Sequence, residues 1–402
     1  MSDAALRRAT EGDLPSILGL NRVGNGDDIE VEMDVAFRFG AMAPSDYAVA
    51  VADDRVVATV GLLATQLRLG SVVLPVGQPE YVATAPDHQG RGLAGGLLRI
   101  VQDWSEGRGD LVQIITGIRY FYRQFGYSYG LVRAPEIVVA PEQDMEVPPG
   151  WEVRAAQAGD VERIRTLQAS AQAGADLALP FADNLWPAFL EMAAAPLLVG
   201  IRDGRVEAFA RLRVGADRAP RSPVFVQAVA ASPSAAVQGV QAVLAGARTR
   251  HPGATLVVAD REGSATQAVV GPSSAFVAHR KWVYVRVPSL PRLLAELMPV
   301  LDERLGRSAY AEESIDLTIS LYRSSVRLVI ERGRVVEVAA GPGVHEPDED
   351  GAVGIPPEHV PLLLFGEGGV AALEDDPDVY LGPFRPLMVA LFPPLRLDIL
   401  TW

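Results

Sequence analysis

The sequence predicts an α/β chain of three successive units, and three observations carry that reading. A strand–helix opening, Leu6–Ala9 followed by Thr10-Glu11-Gly12-Asp13, recurs near mid-chain as Trp151-Glu152-Val153-Arg154 followed by Gly159-Asp160. A glycine-rich turn from strand to helix, Gln89-Gly90-Arg91-Gly92-Leu93-Ala94, stands in the first copy alone. A third stretch opens at Pro288-Ser289-Leu290-Pro291 with an amphipathic helix and continues as strands. The length, 402 residues, is too great for one ordinary core and suits two or three.

In the first unit, Thr10 to Asp13 has the pattern of a capping box, which predicts a helix to about Val23. An acidic run follows, with Asp27, Asp28, Glu30, Glu32 and Asp34. Tyr47–Ala52 is β-rich and ends at the turn Asp53-Asp54-Arg55, and Val56–Leu69 is long enough for one bent strand. Gly70-Ser71 turns the chain into Val72–Leu74, and Pro79–Thr84 is a further strand that leads into the glycine-rich loop. A helix from about Leu93 to Gly107, a strand at Leu111–Ile115 and the aromatic segment Tyr120 to Tyr127 complete the unit.

A connector rich in proline and acid, from Ala140-Pro141-Glu142 to Pro148-Pro149-Gly150, marks a boundary. Beyond it, Leu197–Ile201, Asp203-Gly204 and Arg205–Val214 repeat the strand–turn–strand pattern of the first unit, as a divergent internal duplication would. The stretch paired with the glycine-rich loop is then Ala231-Ser232-Pro233-Ser234-Ala235-Ala236, which has no clustered glycine or arginine. The second unit ends on the strand Lys281–Val287. The third carries a helix at Leu293–Leu305, strands at Ile315–Tyr322, Ser325–Glu331 and Val335–Ala339, a helix near Pro357–Phe365, and a strand-like ending from Leu395 to Trp402. The expected boundaries place the units at residues 1–145, 146–288 and 289–402.

Composition narrows the function. Hydrophobic residues at 49% with 21% charged residues describe a folded globular chain. A formal net charge of −14 repels nucleic acid and anionic membranes, so neither is an expected partner, and it favours cationic ligands. The absence of cysteine removes disulfides, thiolate catalysis and an acyl-cysteine intermediate. The five histidines, His88, His251, His279, His345 and His359, are scattered, and no metal site is expected. Met1 to Arg8 lacks a basic region followed by an apolar core, and no apolar run reaches the roughly 20 residues of a membrane span. A cytoplasmic enzyme is the default expectation.

The chemistry concentrates at Val82-Ala83-Thr84-Ala85-Pro86-Asp87-His88-Gln89-Gly90-Arg91-Gly92-Leu93-Ala94-Gly95-Gly96-Leu97. Glycines let a backbone approach a ligand closely, so that several N–H groups can converge on a diphosphate. The helix N-terminus adds partial positive charge, and Arg91 adds a full one. A dinucleotide fingerprint does not fit: the spacing is not Gly-x-Gly-x-x-Gly, and antiparallel hairpins precede the loop.

At these residues the sequence resembles the GNAT acetyltransferases, whose motif is Gln or Arg, two residues, Gly, one residue, Gly or Ala; Gln89, Gly92 and Ala94 satisfy it. Together with the eroded second copy, the third unit, Trp282 to Val287 before a proline, and Tyr122-Arg123-Gln124-Phe125-Gly126-Tyr127, the whole chain resembles the enhanced intracellular survival (Eis-type) aminoglycoside N-acetyltransferases. The resemblance implies an α/β (α+β) fold with two tandem GNAT-like domains and a sterol-carrier-protein-like domain. It implies acetyl-CoA as cosubstrate, a small-molecule amine as acceptor and a homo-oligomer, hexamers included; with no cysteine for an acyl-enzyme, direct transfer in a ternary complex is the expected mechanism.

Carried over by position, the resemblance assigns the pantetheine arm to Val82, Ala83 and Thr84, and the pyrophosphate to Gly90, Arg91, Gly92, Leu93, Ala94 and Gly95. Gly117 and Ile118 would lie beside the thioester, strand-edge N–H groups near Val82 would hold the developing oxyanion, Tyr122 would be the general acid, and the carboxylate of Trp402 the general base. The acidic run Asp27 to Asp34 falls where this fold has its acceptor loop, and it suits polyamine-like substrates. One departure is Thr401, where better-studied members have glutamate, so aminoglycosides are not the necessary acceptor. From the residues alone, Tyr122 reads first as a core aromatic like its neighbours, and Trp402 can be read as a core-filling strand residue. The competing function is a lipid carrier or interaction protein with a vestigial first unit.

Overall fold

A computed structural model describes residues 4–25, 27–183, 185–192, 196–214, 222–261, 263–271, 275–276 and 281–399. Strand β1 (Ala5–Arg8) ends at a turn tied by one carboxylate. Asp13 accepts from the backbone N–H and the hydroxyl of Thr10, each at 2.8 Å, and from both terminal nitrogens of Arg7 at 2.7 and 2.8 Å. Helix α1 (Leu14–Asn25) starts from that knot. The acidic run, for which the sequence leaves both an acceptor-loop position and a solvated helix face open, is helix α2 (Asp27–Arg38), whose Met33, Val35 and Ala36 are buried.

Strands β2 (Tyr47–Ala52) and β3 (Arg55–Leu69) form a hairpin across Asp53-Asp54, with φ of 48° and 59°, the left-handed pair that a type I′ turn requires. Strand β4 (Val72–Thr84) returns antiparallel along β3. Helix α3 (Leu93–Arg108) lies directly against it; a side chain at Gly77 would collide with the Ser105 hydroxyl. Strands β5 (Val112–Ile115), β6 (Ser128–Val132) and β7 (Glu136–Val139) follow.

The middle of the chain repeats the opening in detail. Strand β8 (Trp151–Ala155) leads to Asp160, which accepts from the backbone N–H of Gln157 at 2.8 Å and from Arg154 at 2.6 and 3.0 Å. Then come α4 (Val161–Gln172), the short β9 (Leu177–Ala178) and α5 (Leu185–Glu191). Strands β10 (Leu197–Arg202) and β11 (Arg205–Val214) join across Asp203-Gly204, at φ of 52° and 71°, the same turn geometry as in the first hairpin. Strand β12 (Val224–Ala231), α6 (Ala236–Arg250), β13 (Leu256–Ala259), α7 (Thr266–Val270) and β14 (Ala275–Phe276) complete this part.

Strand β15 (Trp282–Arg286) precedes α8 (Leu290–Glu296), α9 (Met298–Gly306), β16 (Ile315–Ser320), β17 (Ser324–Glu331) and β18 (Arg334–Pro342). The chain closes with β19 (Val353–Gly354), α10 (Val360–Phe365), α11 (Arg385–Leu391) and β20 (Leu397–Asp398). Three sheets result. The first runs β1-β2-β3-β4-β5-β15-β6 and takes up β9 and β20 beside β3; the second runs β14-β7-β13-β12-β11-β10-β8; the third runs β18-β17-β16-β19.

The first two sheets exchange strands: β15 inserts between β5 and β6 of the first, and β7 pairs with β13 of the second. Val283 and Val285 of β15 are fully buried on one face and Tyr284 nearly so on the other. That alternation needs a sheet covered on both sides. The third part shares its core with the first. Leu69, Leu74, Val112 and Ile114 of the first sheet pack in one cluster with Leu293, Leu294, Leu317 and Phe365. Burying each such side chain contributes roughly 1.5–3 kcal/mol, so the two parts hold each other in place. Among the described residues, no helix is long and apolar enough to cross a membrane.

Candidate active site

The site begins as a gap between parallel strands. β4 and β5 pair only at Val76–Val112 and Gly77–Gln113, and then diverge. On its other side β4 stays bonded to β3, but with a bulge: Thr59 faces Ala83 and Gly61 faces Glu80, so Tyr81 and Val82 together oppose a single residue. Tyr81 takes a left-handed φ of 54°, costly for an aromatic residue, and its ring stacks on that of Tyr47 at 6.4 Å. The bulge aims the backbone of residues 82–84 into the gap.

Beyond Thr84 the chain makes the glycine-rich loop. Gly90 and Gly92 have φ of 74° and 76°, and a Cβ at either would point into open space. Only glycine adopts these angles without strain, so the loop depends on glycine at both positions just before α3 begins. Arg91 is exposed and its guanidinium donates to the Asp87 carbonyl at 2.7 Å, while Gln89 reaches back toward the Thr84 carbonyl at 3.4 Å.

One cavity of about 540 Å³ joins these parts. Val82, Thr84, Gly90, Arg91, Gly92, Leu93, Ala94, Gly95, Ile118 and Tyr122 all line it. Ala83, by strand alternation, faces away and packs at Gly24 of α1. Gly117, at φ 127°, sits so close to Tyr122 that a Cβ there would fall 3.2 Å from the phenol oxygen. Arg99, Phe121, Gln124, Phe125 and His88 line it as well, without having been assigned to the site from the sequence. Arg99 is seven positions after Gly92 and four after Gly95, so helical spacing puts it on the loop's face of α3, and its guanidinium lies 5.5 Å over the Phe125 ring. His88 also lines the cavity, its ring beside Asp87 at 3.1 Å.

Tyr122 is 4% exposed, in a one-turn helix (Phe121–Phe125), with edge contacts to Phe121, Tyr127 and Tyr284. Burial, and then the charge of Glu80, push its phenol up to about 12, so it holds its proton throughout the neutral range. Glu80 was not singled out from the sequence; the available signal is one carboxylate in an otherwise apolar run, Pro79 to Ala83. It is half-buried, accepts from the Gln78 amide at 2.5 Å, and desolvation raises its carboxyl to about 7. The Gln78 bond and the charge of Arg213 oppose that rise, and the charge of Glu32 adds to it.

Around Glu80 the first two sheets meet. Glu32, from α2, is buried and pairs at 3.4 Å with Arg213 of β11. Asp34 is exposed and bonded to Arg38 at 2.9 Å; the side chains of Asp27, Asp28 and Glu30 lie outside the described residues, as does Trp402. Arg211 is buried beneath the Phe189 ring face at 4.1 Å, and desolvation lowers its guanidinium to about 10. Among the described residues, no group of three His, Asp or Glu side chains could hold a metal ion.

Known proteins resemble the chain at two levels. Residues 5–130 match the acetyltransferase (GNAT) domain family. In fold, the GCN5-related N-acetyltransferase from Kribbella flavida is similar over 100% of this chain and 98% of its own, with a TM-score of 0.69 at 18% identity. The GCN5-related N-acetyltransferase from Anabaena variabilis is similar over 99% of both chains, with a TM-score of 0.70 at 12% identity. Eis1 from Mycobacterium abscessus is likewise covered over 99% of both chains, with a TM-score of 0.61 at 14% identity. These likenesses span all three sheets and are likenesses of fold. No curated protein sequence matches the chain.

Proposed function

We propose that this chain, an Eis-like GNAT acetyltransferase by its N-terminal domain and its fold, is an acetyl-CoA-dependent N-acetyltransferase that acts on small-molecule amines by direct transfer in a ternary complex. The carrying observation is the cavity that joins the diverging edge of β4, the glycine loop and the Tyr122 phenol. The residues fit the cosubstrate: Gly90 and Gly92 leave open space where a pyrophosphate needs close backbone approach, with Arg91 and Arg99 beside it. Acetyl-CoA supplies the activated acyl group; the chain supplies position, dipoles and protons.

Residues 1–145 are the catalytic unit in this reading, 146–288 a GNAT-like unit without cofactor, and 289–402 a sterol-carrier-protein-like unit, with β7 and β15 exchanged between the first two. The proton inventory is consistent with transfer to an amine. Tyr122 remains protonated and can donate to a departing thiolate, whose pKa is roughly 8–10. For the base, the resemblance gives the carboxylate of Trp402. A second reading gives Glu80, because a half-buried carboxyl raised to about 7 is poised to take a proton near neutrality.

The test is thiol release from acetyl-CoA with spermidine, kanamycin and lysine as acceptors. Turnover with at least one is expected, and a folded protein inert toward a broad amine panel would sink the enzyme reading. The base is settled by two variants. An alanine appended after Trp402 lowers kcat about 100-fold if the terminal carboxylate is the base. Glu80→Gln instead abolishes the rise of kcat/KM through about pH 7 if Glu80 is.

A further inference from the structure

We propose that Arg261 is a positioning residue for acetyl transfer in the first unit, because it clamps the C-terminal strand into the second unit's empty cleft. The proposal rests on the reading that the C-terminal segment takes part in that transfer. The second cleft is built like the first: β12 and β13 pair in parallel from Val224–Leu256 to Val226–Val258 and then part. Register identifies its lining, since Ala208 faces Ala231 on β12 as Ala58 faces Thr84 on β4. Val229 is therefore the counterpart of Val82.

Arg261 reaches into this gap, at the wall of a cavity of about 600 Å³ that Val229, Ala231, Leu397 and Asp398 also line. It lies two residues past the end of β13, as Gly117 lies two residues past the end of β5. Its guanidinium donates to the Val229 carbonyl at 2.8 Å and to the Gln168 side-chain oxygen at 2.8 Å, and its Nε lies 2.9 Å from the Asp398 carboxylate. All three side chains, Arg261, Gln168 and Asp398, are more than nine-tenths buried. A backbone carbonyl that would face an acyl-donor arm in an active cleft here faces the protein's own arginine. A buried ion pair constrains geometry strongly, because removing either partner strands the other charge away from water.

Asp398 is held by its backbone as well. β20 runs parallel to β9, with Leu397 beside Leu177 and Asp398 beside Ala178, and β9 pairs in turn with Arg68 and Leu69 of β3. The N–H groups of Asp176 and Leu177 donate to the Arg396 carbonyl at 2.9 and 3.1 Å. The next residue, Ile399, lines a cavity with Arg133 and Arg213, and Arg213 holds Glu32 beside Glu80. The clamp thus delivers the C-terminal strand to the carboxylate side of the first unit's site, away from the glycine loop.

The test uses the full-length chain, acetyl-CoA, and spermidine or kanamycin, whichever turns over faster. Asp398→Asn and Arg261→Lys are expected to lower kcat about 10- to 100-fold while the acetyl-CoA Kd, measured by calorimetry, stays within twofold. Added to the chain already extended by one alanine, either substitution costs no further activity, because both act through one segment. A merely structural role predicts a lower Tm with normal kcat per folded molecule, and that result overturns the clamp. So do losses that multiply. If Asp398→Asn does not fold, Gln168→Leu removes one guanidinium contact and is expected to lower kcat severalfold; an unchanged kcat counts against the proposal. Unchanged kcat in the alanine-extended chain instead overturns the C-terminal reading, and the clamp's role with it.

Discussion

In the first sheet, β4 leaves β5 after Gly77 and the gap opens into a cavity of about 540 Å³ rimmed by glycine. In the second, β12 leaves β13 after Val226 and a cavity of similar size, about 600 Å³, is walled by the Arg261–Asp398 ion pair instead of a glycine loop. The connections above the two gaps start alike. The N–H of Ala85 donates across to Val57 and that of Ser232 to Glu207, both at 2.8 Å, and each is followed by one short turn with proline at its start. The first chain then spends Gln89 to Gly92 on the loop before α3 begins at Leu93; the second passes from Ala235 directly into α6 at Ala236. The second connection is therefore shorter by the four residues of the loop. Thr84 to His88 has a counterpart in Ala231 to Ala235, and residues 89–92 have none. The two connections thus differ by four residues, while the strand before them, the short turn and the helix after them are alike.

The largest effect should come from making the first unit like the second. Deleting Gln89 to Gly92 is expected to weaken acetyl-CoA binding more than 1000-fold, because it removes the N–H cradle and Arg91 together. The chain should still fold, since the second unit shows that the connection closes without those residues. Calorimetry with coenzyme A and far-ultraviolet circular dichroism check both halves; retained affinity would break the contrast between the clefts.

A smaller loss tests the residue that faces the open gap. Tyr122→Phe keeps the ring packed on Phe121, Tyr127 and Tyr284 but removes the phenol. It is expected to lower kcat about 100-fold with KM for acetyl-CoA little changed. Because the phenol is raised to about 12, the parent enzyme should show no alkaline fall in kcat before about pH 10. A steady-state pH profile on both proteins decides whether Tyr122 is more than a core aromatic.

Legibility in the sequence followed the range of the interactions. The glycine loop depends on neighbours within a dozen residues, and the capping pattern at Thr10 to Asp13 on four, so spacing alone exposed both. Strands β16 to β18 of the third sheet are sequential neighbours, and they fell close to their expected positions. Long-range choices were hidden. An alternating apolar strand such as β15 suits either sheet, and its place between β5 and β6 is set by the faces available there. Glu80 reads as one charge in a strand until Arg213 and Glu32 are seen beside it. Arg261 and Asp398 carry no local pattern at all; their pairing exists only because β9 brings the C-terminal strand across the second cleft.

The smallest expected effect concerns what the two units share. Asp13 and Asp160 close the same knot, and each is held below the usual carboxylate range chiefly by its arginine, Arg7 or Arg154. A lowered folded-state pKa adds stability that is complete above the unfolded value, near 3.8, and is lost as pH falls through the folded value. Asp13→Asn and Asp160→Asn should each cost about 1 kcal/mol near pH 7, the scale of a lost helix cap with one partly exposed arginine. The cost should begin to shrink as pH falls below about 3.8, where the unfolded carboxylates take up protons, and should go on shrinking toward the lowered folded-state values. Denaturant titrations at pH 7 and pH 3 measure this. If Asp160→Asn is costly and Asp13→Asn is not, the two openings share a sequence pattern without sharing its energetics. Equal costs would mean that the knot holds both openings at the same strength, whether or not a glycine loop stands further along.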